Sequence, residues 1–231
     1  MTRELEKNIQ AYRTDDAVEK YSYYGLYPNE RYLFEKYFPQ GSTILDLACG
    51  AGRTTLRLHE FGYTVKGYDL SDRLIESAKK RFPNLDLHIG NYCDISEPDQ
   101  SYDNILISHN GLDYAYPESA RVQAIKECAR VIRPGGCLIM SSHNIKSLHF
   151  SPYYLGRRIP WMLKNSLKAF SQRSYVLDLG MHTFFCSASY CVKQFSEHGF
   201  VIKEIIGFRS SHNKLFNRFI SPYIHYVFQR N

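Results

Sequence analysis

Short apolar runs alternate with longer amphipathic segments between residues 43 and 142 of the chain. This alternation is typical of a parallel sheet whose strands are joined by crossover helices. Two more apolar runs near the C-terminus predict a sixth and a seventh strand. The predicted strands lie at residues 43–48, 63–69, 85–89, 102–108, 137–142, 200–208 and 221–231. The pattern therefore predicts an α/β fold with a doubly wound, seven-stranded, mostly parallel sheet.

Helical spacing of apolar residues, together with suitable end residues, places helices between these strands. Ser71 is a good N-cap for one helix, and Gly62 and Gly199 suit the position just after two others. The helices are expected at residues 53–61, 71–82, 118–132 and 189–198.

The alternation stops between residues 145 and 181, where the sequence is aromatic, basic and interrupted by prolines. We interpret this segment as a helical insertion that lies over the sheet after strand 5. Residues 1–40 are expected to form an N-terminal helical lid. The remaining chain, residues 41–231, is expected to be one domain with the insertion as its substrate cap.

The composition excludes several classes of protein. With 231 residues, of which 44% are hydrophobic and 23% charged, the chain can bury a core and is not intrinsically disordered. No run reaches the roughly 18 apolar residues that a membrane span requires. The N-terminal segment is charged and lacks the apolar region of a signal peptide, so we expect a cytoplasmic protein.

The six cysteines are spread along the chain without a CxxC pair. That spacing argues against a disulfide framework and against a zinc site. We therefore expect reduced thiols and no bound metal.

The net charge of +6 is concentrated in the insertion. Residues 145–177 contain six cations and no Asp or Glu, so the rest of the chain has 29 − 6 = 23 basic residues against 23 acidic ones. A local positive patch favours an anionic partner such as a phosphorylated substrate, an acidic lipid surface or a nucleic acid. The six cations are Lys146, Arg157, Arg158, Lys164, Lys168 and Arg173.

A glycine loop follows the first predicted strand. The sequence DLACGAGR, residues 46–53, stands at the carboxyl end of that strand, where open α/β sheets bind their ligands. The dinucleotide fingerprint GxGxxG would need a glycine where Thr55 stands, which weakens the interpretation as a nicotinamide site. Asp69 ends the second strand, where a carboxylate can accept hydrogen bonds from both hydroxyls of a ribose. The pattern predicts an adenosine-type ligand.

These motifs resemble those of the class I S-adenosylmethionine-dependent methyltransferases. DLACGAGR is similar to their DxGxGxG motif, with Ala48 in place of the first glycine. YDLS at residues 68–71 resembles the second motif, in which Asp69 would bind the ribose and Leu74 would pack on the adenine. GNYCDI at residues 90–95 resembles the third motif. The resemblance covers about residues 40–142 and 182–210, and it implies a Rossmann-like fold and S-adenosyl-L-methionine as cofactor.

The resemblance also implies a set of cofactor-binding residues. Tyr21 is included because the N-terminal helix of this family commonly folds over the cofactor. The third motif leaves open whether Asn91, Tyr92 or Asp94 meets the adenine amino group. The full set is Tyr21, Asp46, Ala48, Gly50, Gly52, Asp69, Leu70, Leu74, Asn91, Tyr92, Cys93 and Ser108.

Methyl transfer requires an acceptor nucleophile aligned at about 3 Å from the methyl group, and a base if the nucleophile carries a proton. His109, just after the fourth strand, is our candidate base because imidazole titrates near neutrality. His143 and His182 are weaker candidates. An acceptor that is already nucleophilic would need no base, and a histidine at a strand end often only bonds to backbone.

The acceptor is expected to be a small molecule, methylated on oxygen or nitrogen, with anionic and sugar-like molecules among the candidates. Enzymes that methylate DNA amino groups resemble one another in a [DNS]PP[YF] tetrapeptide after the fourth strand, whereas SHNG stands here. RNA is less favoured, because no RNA-binding module is appended. The rival interpretations are a catalytically silent cofactor-binding protein, an RNA methyltransferase and a nicotinamide dehydrogenase.

Residues 145–177 are expected to act as a lid over the acceptor pocket. Peripheral contact with an anionic membrane and a homodimer interface are the alternatives for this segment. Its expected apolar walls are Phe150, Tyr153, Tyr154, Trp161 and Phe170.

Overall fold

A computed structural model describes residues 3–14, 16, 18–19, 25–148, 159–178, 180–207 and 212–231. Its centre is a nine-stranded sheet in which the parallel strands follow the order β3-β2-β1-β4-β5. The strands are β1 (Thr43–Leu47), β2 (Thr64–Asp69), β3 (Asp86–Ile89), β4 (Tyr102–Ile107), β5 (Ile132–Asn144), β6 (Arg173–Asp178), β7 (Met181–Cys186), β8 (Phe200–Gly207) and β9 (Tyr223–Arg230).

All seven predicted strands are present, and the predicted fold class is confirmed. The last two of them, β8 and β9, are antiparallel to each other, and β9 pairs antiparallel with β5. The sheet is therefore mostly parallel, and two strands, β6 and β9, run opposite to the others.

The four predicted helices begin and end within two residues of their expected limits. Ser71 caps one of them by accepting a hydrogen bond from the Leu74 N–H, as expected from its position. The helices are α1 (Arg3–Ala11), α2 (Pro28–Tyr37), α3 (Arg53–Glu60), α4 (Asp72–Arg81), α5 (Glu118–Val131), α6 (Ile159–Asn165), α7 (Ala188–Ser196) and α8 (Lys214–Phe219).

The insertion after β5 differs from the expected helical one. It contains the short helix α6 and two 3₁₀ turns, Ile145–Leu148 and Ser166–Phe170, but it ends in the antiparallel hairpin β6–β7. Gly180 adopts φ +81° in the turn of this hairpin, a conformation that glycine reaches without strain. The hairpin joins the main sheet because β7 pairs with the last two residues of β5.

Both faces of the sheet are buried, as the continuous apolar sequence of β1 predicts. Side chains alternate across a strand, so Leu45 and Leu47 belong to one core cluster while Ile44 belongs to another on the opposite face. β1, β2 and β4 are thereby fixed in parallel register, and their carboxyl ends meet at one edge of the sheet.

The N-terminal helix α1 is anchored over this carboxyl edge. The Asn8 side-chain amide donates hydrogen bonds to the carbonyls of Tyr114 and His182, and its oxygen accepts the His182 N–H at 3.0 Å. Within the described part of the chain, the helices are too short or too polar for any of them to cross a membrane.

Candidate functional site

A cleft opens at the carboxyl edge of β1, β2 and β4, where loops follow each strand. It has about 910 Å³ of empty volume, which includes open solvent at its mouth. Eight of the residues predicted to bind the cofactor or to act as the base line this cleft. They are Ala48, Gly50, Asp69, Leu70, Leu74, Tyr92, Ser108 and His109.

Asp69 ties two of the cleft loops together. Its Oδ2 accepts the Gly50 N–H at 2.9 Å and its Oδ1 accepts the Ser71 N–H at 2.8 Å. Burial raises the pKa of this carboxyl, although both backbone hydrogen bonds oppose the change. A carboxylate has about four acceptor positions, so two remain for hydroxyl groups of a ligand in the cleft.

Apolar side chains form one wall of the same cleft. Leu74 from α4 and Tyr92 from the loop after β3 are both buried, at 2% and 8% exposure. Gly90 lies beside them, and a Cβ there would come within 3.0 Å of the Tyr68 ring. The wall is apolar and closely packed, which suits a heterocyclic ligand.

Two predicted ligands of the first motif do not line the cleft. Asp46 is fully buried beneath the glycine loop, where its Oδ2 accepts hydrogen bonds from the Thr54 and Thr55 hydroxyls at 2.7 Å. Gly52 is the N-cap of α3, and its Cβ position points at Ala78 and away from the cleft. Both residues therefore lie outside the cleft lining, where they shape the loop.

Two predicted ligands of the third motif are also turned away. The Asn91 side-chain oxygen accepts the Cys93 N–H at 2.9 Å and so closes a local turn. The Cys93 thiol donates to the Ala120 carbonyl at 3.2 Å, toward α5. Of the three residues left open by the sequence for the adenine end, the structure brings only Tyr92 to the cleft.

His109 reaches the cleft through an unusual backbone. His109 and Asn110 both adopt left-handed conformations, with φ +49° and +60°. The Asn110 N–H donates to the Ser141 hydroxyl at 2.8 Å, which holds this turn against β5. Residues in this region of conformational space often lie at functional sites because the surrounding structure must enforce them. The His109 ring stacks on Tyr27 at 5.9 Å.

His143 belongs to a separate buried network next to the cleft. Asp113 accepts hydrogen bonds from the backbone N–H and the Nδ1 atom of His143 at 2.7 and 2.8 Å, and also from Ser142 and Arg121. Asp113 and Arg121 are both completely buried. His143 lies 6.4 Å, ring to ring, from Tyr114, a residue of the cleft wall.

A buried ion pair lies beside the other side of the cleft, where no sequence motif predicted one. Both terminal nitrogens of Arg53 donate to the Glu30 carboxylate at 2.7 Å, and Arg53 also donates to the Ser108 hydroxyl at 2.9 Å. Burial alone would raise the pKa of Glu30, but the bonds and charge of Arg53 outweigh it and lower that pKa. The pair fastens α2 to the glycine loop.

The loop after β4 touches the loop after β1 with no space between them. A Cβ added at Gly111 would lie 2.6 Å from the Ala48 Cβ, so only glycine fits at this position. Both residues line the cleft, and their contact fixes its width there. Sequence motifs identify Ala48 but contain no signal for Gly111.

Several predicted residues lie outside the described part of the chain: Tyr21, Phe150, Tyr153, Tyr154, Arg157 and Arg158. Of the described cations of the insertion, none lines the cleft. Lys146 and Lys168 donate to backbone carbonyls, and Arg173 pairs with Glu118. All six cysteines are free thiols in the structure. The described residues contain no group of three or more potential metal ligands.

Residues 44–136 match a family model described as a methyltransferase domain. A demethylmenaquinone methyltransferase of Bacillus licheniformis is 31% identical over 155 residues, which are 61% of this chain and 63% of that protein. A ubiquinone biosynthesis O-methyltransferase of Coxiella burnetii is 32% identical over 117 residues, 49% of each protein. The chain spans only 43 to 63% of the length of the first curated relatives it matches.

Among solved structures, an S-adenosylmethionine-dependent methyltransferase of Methanosarcina mazei aligns with a TM-score of 0.67. The two chains are 21% identical, and the alignment covers 90% of this chain and 99% of that one. At this level of identity the likeness shows a shared fold.

Proposed function

We propose that this chain, whose motifs and sequence relatives indicate a class I S-adenosylmethionine-dependent methyltransferase, transfers a methyl group from this cofactor to a small-molecule acceptor. The observation that carries the proposal is the position of Asp69, whose carboxylate ends β2 inside the cleft and bonds the glycine loop of β1. Methyltransferase relatives by sequence support the same activity, and a methyltransferase of known structure shares the fold.

The cleft residues fit the cofactor. In the proposal, Asp69 accepts hydrogen bonds from the ribose hydroxyls, while Leu74 and Tyr92 pack on the adenine. Gly50 has no side chain, so the backbone of the glycine loop can approach the ligand closely. The bound cofactor supplies a methyl group on a sulfonium, which is a good leaving group. The remaining task of the protein is to orient an acceptor and to exclude water.

We propose an aromatic acceptor for this chain. Aromatic side chains line part of the cleft: Tyr12 and Tyr114 meet edge to face at 5.4 Å, and both belong to its lining. Such rings favour a planar aromatic partner. Two relatives are named for menaquinone and ubiquinone biosynthesis, which supports the same class of acceptor.

His109 is the proposed base when the acceptor is a hydroxyl. It lines the cleft, its backbone is held by the turn at Asn110, and its ring is restrained by Tyr27. A neutral imidazole at this position can accept the hydroxyl proton as the methyl group is transferred. A cytoplasmic location completes the proposal, since free thiols persist in a reducing compartment.

A labelling experiment tests the proposal. The purified chain is incubated with methyl-labelled cofactor in three separate reactions. One contains a metabolite extract, one contains bulk RNA and one contains bulk DNA. We expect label in the aromatic fraction of the extract, lost in Asp69→Ala and retained in the control Asp86→Ala, an exposed carboxylate on β3. Label in RNA alone would favour the RNA methyltransferase. Cofactor binding without transfer to any pool would identify a silent protein.

Once an acceptor is found, the pH dependence of turnover tests the base. We expect His109→Ala to lower kcat and to remove the part of its pH dependence that requires a neutral imidazole. His143→Asn is the comparison, because His143 is held by Asp113 outside the cleft lining. An unchanged pH profile in His109→Ala, with a changed one in His143→Asn, would move the role to His143.

A further inference from the structure

Exposed apolar side chains are concentrated in two short segments. Of the eleven large apolar side chains exposed in the described residues, six belong to residues 159–170 or 214–219. Leu167, Phe170 and Leu215 are the most exposed of all, at 77%, 76% and 71%. The six are Ile159, Leu163, Leu167, Phe170, Leu215 and Phe219. Soluble domains seldom leave several such groups exposed in one region.

The fold brings these two segments together. The 3₁₀ turn at Ile145–Leu148 contacts both α8 and the turn that contains Leu167 and Phe170. Lys146 in this turn donates to the carbonyls of Ala169 and Ser171, which fastens the insertion. Asn144 donates to the carbonyls of Asn217 and Ser221, which fastens the region of α8. Both segments thus flank the carboxyl end of β5.

Cations accompany the apolar side chains. Lys164, Lys214 and Arg218 are exposed, and none of them forms an ion pair with a carboxylate among the described residues. The sequence contains no Asp or Glu at residues 145–177 or after Glu204. The six apolar side chains and these three cations define an apolar–cationic surface.

We infer that the apolar–cationic surface docks onto an anionic lipid bilayer as a peripheral contact. Apolar side chains that enter the headgroup region, beside lysines and arginines that meet anionic lipids, supply the two signals that stable peripheral binding requires. A second copy of the chain is a poorer occupant, because its own surface would bring the same positive charge. An uncharged bilayer would leave the cations without partners.

Docking in this way places the cleft near the lipid. The apolar–cationic surface follows β5 at its carboxyl end, and the cleft lies at the carboxyl ends of the neighbouring strands β1, β2 and β4. A lipid-soluble molecule would then reach the cleft without crossing much water. The contact itself does not depend on the proposed methyl transfer, and its test requires no acceptor.

The test is sedimentation of the purified chain with large unilamellar vesicles. One set contains equal parts of phosphatidylglycerol and phosphatidylcholine, and the other contains phosphatidylcholine alone. We expect binding to the first set that weakens as salt is raised, and at least about tenfold weaker binding to the second.

Matched variants locate the contact. Leu167→Asp and Leu215→Asp should each lower vesicle affinity about tenfold or more, because each places a carboxylate at the lipid surface. Val201→Asp adds the same charge at the amino end of β8. This position is at the far end of the strand from α8, so this variant should bind vesicles like the unaltered chain. Lys164→Gln and Lys214→Gln should weaken binding, whereas Lys126→Gln on α5 should not.

Three results would overturn the inference. Failure to sediment with phosphatidylglycerol vesicles is one, and equal loss of binding in Val201→Asp is another. The third is a dimer in solution that Leu167→Asp dissociates while vesicles bind nothing, since the surface would then be a contact between copies of the chain.

Discussion

Glu30 holds both terminal nitrogens of Arg53 at 2.7 Å, although the two residues belong to different helices and only 3% and 10% of their side chains are exposed. The Arg53 guanidinium also lies 5.0 Å from the centre of the Tyr27 ring. Through this pair, the helix before the first strand is fixed to the end of the glycine loop. The cleft is therefore built from two regions that no local sequence pattern connects.

Removing one partner of this pair should destabilise the fold strongly. Glu30→Gln leaves the buried Arg53 charge without a counter-ion, and we expect a loss of about 3 kcal/mol in the free energy of unfolding. The control is Glu35→Gln in the same helix, which breaks the exposed pair with Arg31 and should cost about 0.5 kcal/mol or less. Chemical denaturation of both variants measures the difference, and equal losses would contradict the assigned role.

The same pair gives a pH dependence with a defined sign. The pKa of Glu30 lies below its usual 4.5 in the folded chain, so its stabilising contribution is present above pH 4.5. That contribution is lost as the pH falls through the lowered pKa. The difference in the free energy of unfolding between the unaltered chain and Glu30→Gln should therefore become smaller as the pH falls below 4.5.

Asp46 should show the opposite dependence. Burial raises its pKa to about 6, against the opposing hydrogen bonds of Thr55 and Thr54. Between pH 4 and 6 the native chain then holds a proton that the unfolded chain has released, so the free energy of unfolding falls as the pH rises through this window. Asp46→Asn removes this titration, and its stability relative to the unaltered chain should increase by about 2 kcal/mol from pH 4 to 7.

Denaturation curves at several pH values measure that difference. Asp86→Asn, at an exposed carboxylate, serves as the control and should leave the pH dependence as it is. A stability difference between Asp46→Asn and the unaltered chain that stays constant with pH would contradict the prediction.

Gly111 should tolerate no side chain unless Ala48 becomes smaller. Gly111→Ala places a Cβ 2.6 Å from the Ala48 Cβ, and we expect a loss of about 2 kcal/mol in stability together with weaker cofactor binding. Adding Ala48→Gly removes the clashing atom and should restore both. Gly25→Ala, where nothing lies within 4 Å, is the control. A double variant as impaired as Gly111→Ala would show that the contact is not the cause.

Much of the scaffold was predictable because its signals are local. The buried runs at β1 and β4 and the caps at Ser71 and Gly62 each depend on neighbouring residues, and each lies where it was expected. The RPGG sequence at residues 133–136 was predicted to lie before strand 5. In the structure it lies within β5, because the register between β4 and β5 shifts there and absorbs the extra residues.

The hairpin β6–β7 and the ion pair of Arg53 were not predictable in the same way. The hairpin lies at the edge of the sheet. Charged residues at its ends interrupt the alternation of apolar and polar positions that would predict its two strands. The Arg53 contact spans 23 residues and depends on the tertiary fold. The sequence motifs also contain residues of two kinds that the sequence does not distinguish. Asp69 and Leu74 line the cleft, whereas Asp46 lies beneath the loop and shapes it.

The most direct test of the proposed cofactor site is calorimetric titration of the unaltered chain and of Asp69→Ala with S-adenosylmethionine and S-adenosylhomocysteine. We expect both ligands to bind the unaltered chain, and binding to fall about hundredfold in Asp69→Ala, because two charge-assisted hydrogen bonds to the ribose are lost. Asp86→Ala should bind normally, and circular dichroism should show that all three proteins are folded. Equal affinity in Asp69→Ala, or binding of NAD with neither of these ligands, would contradict the account.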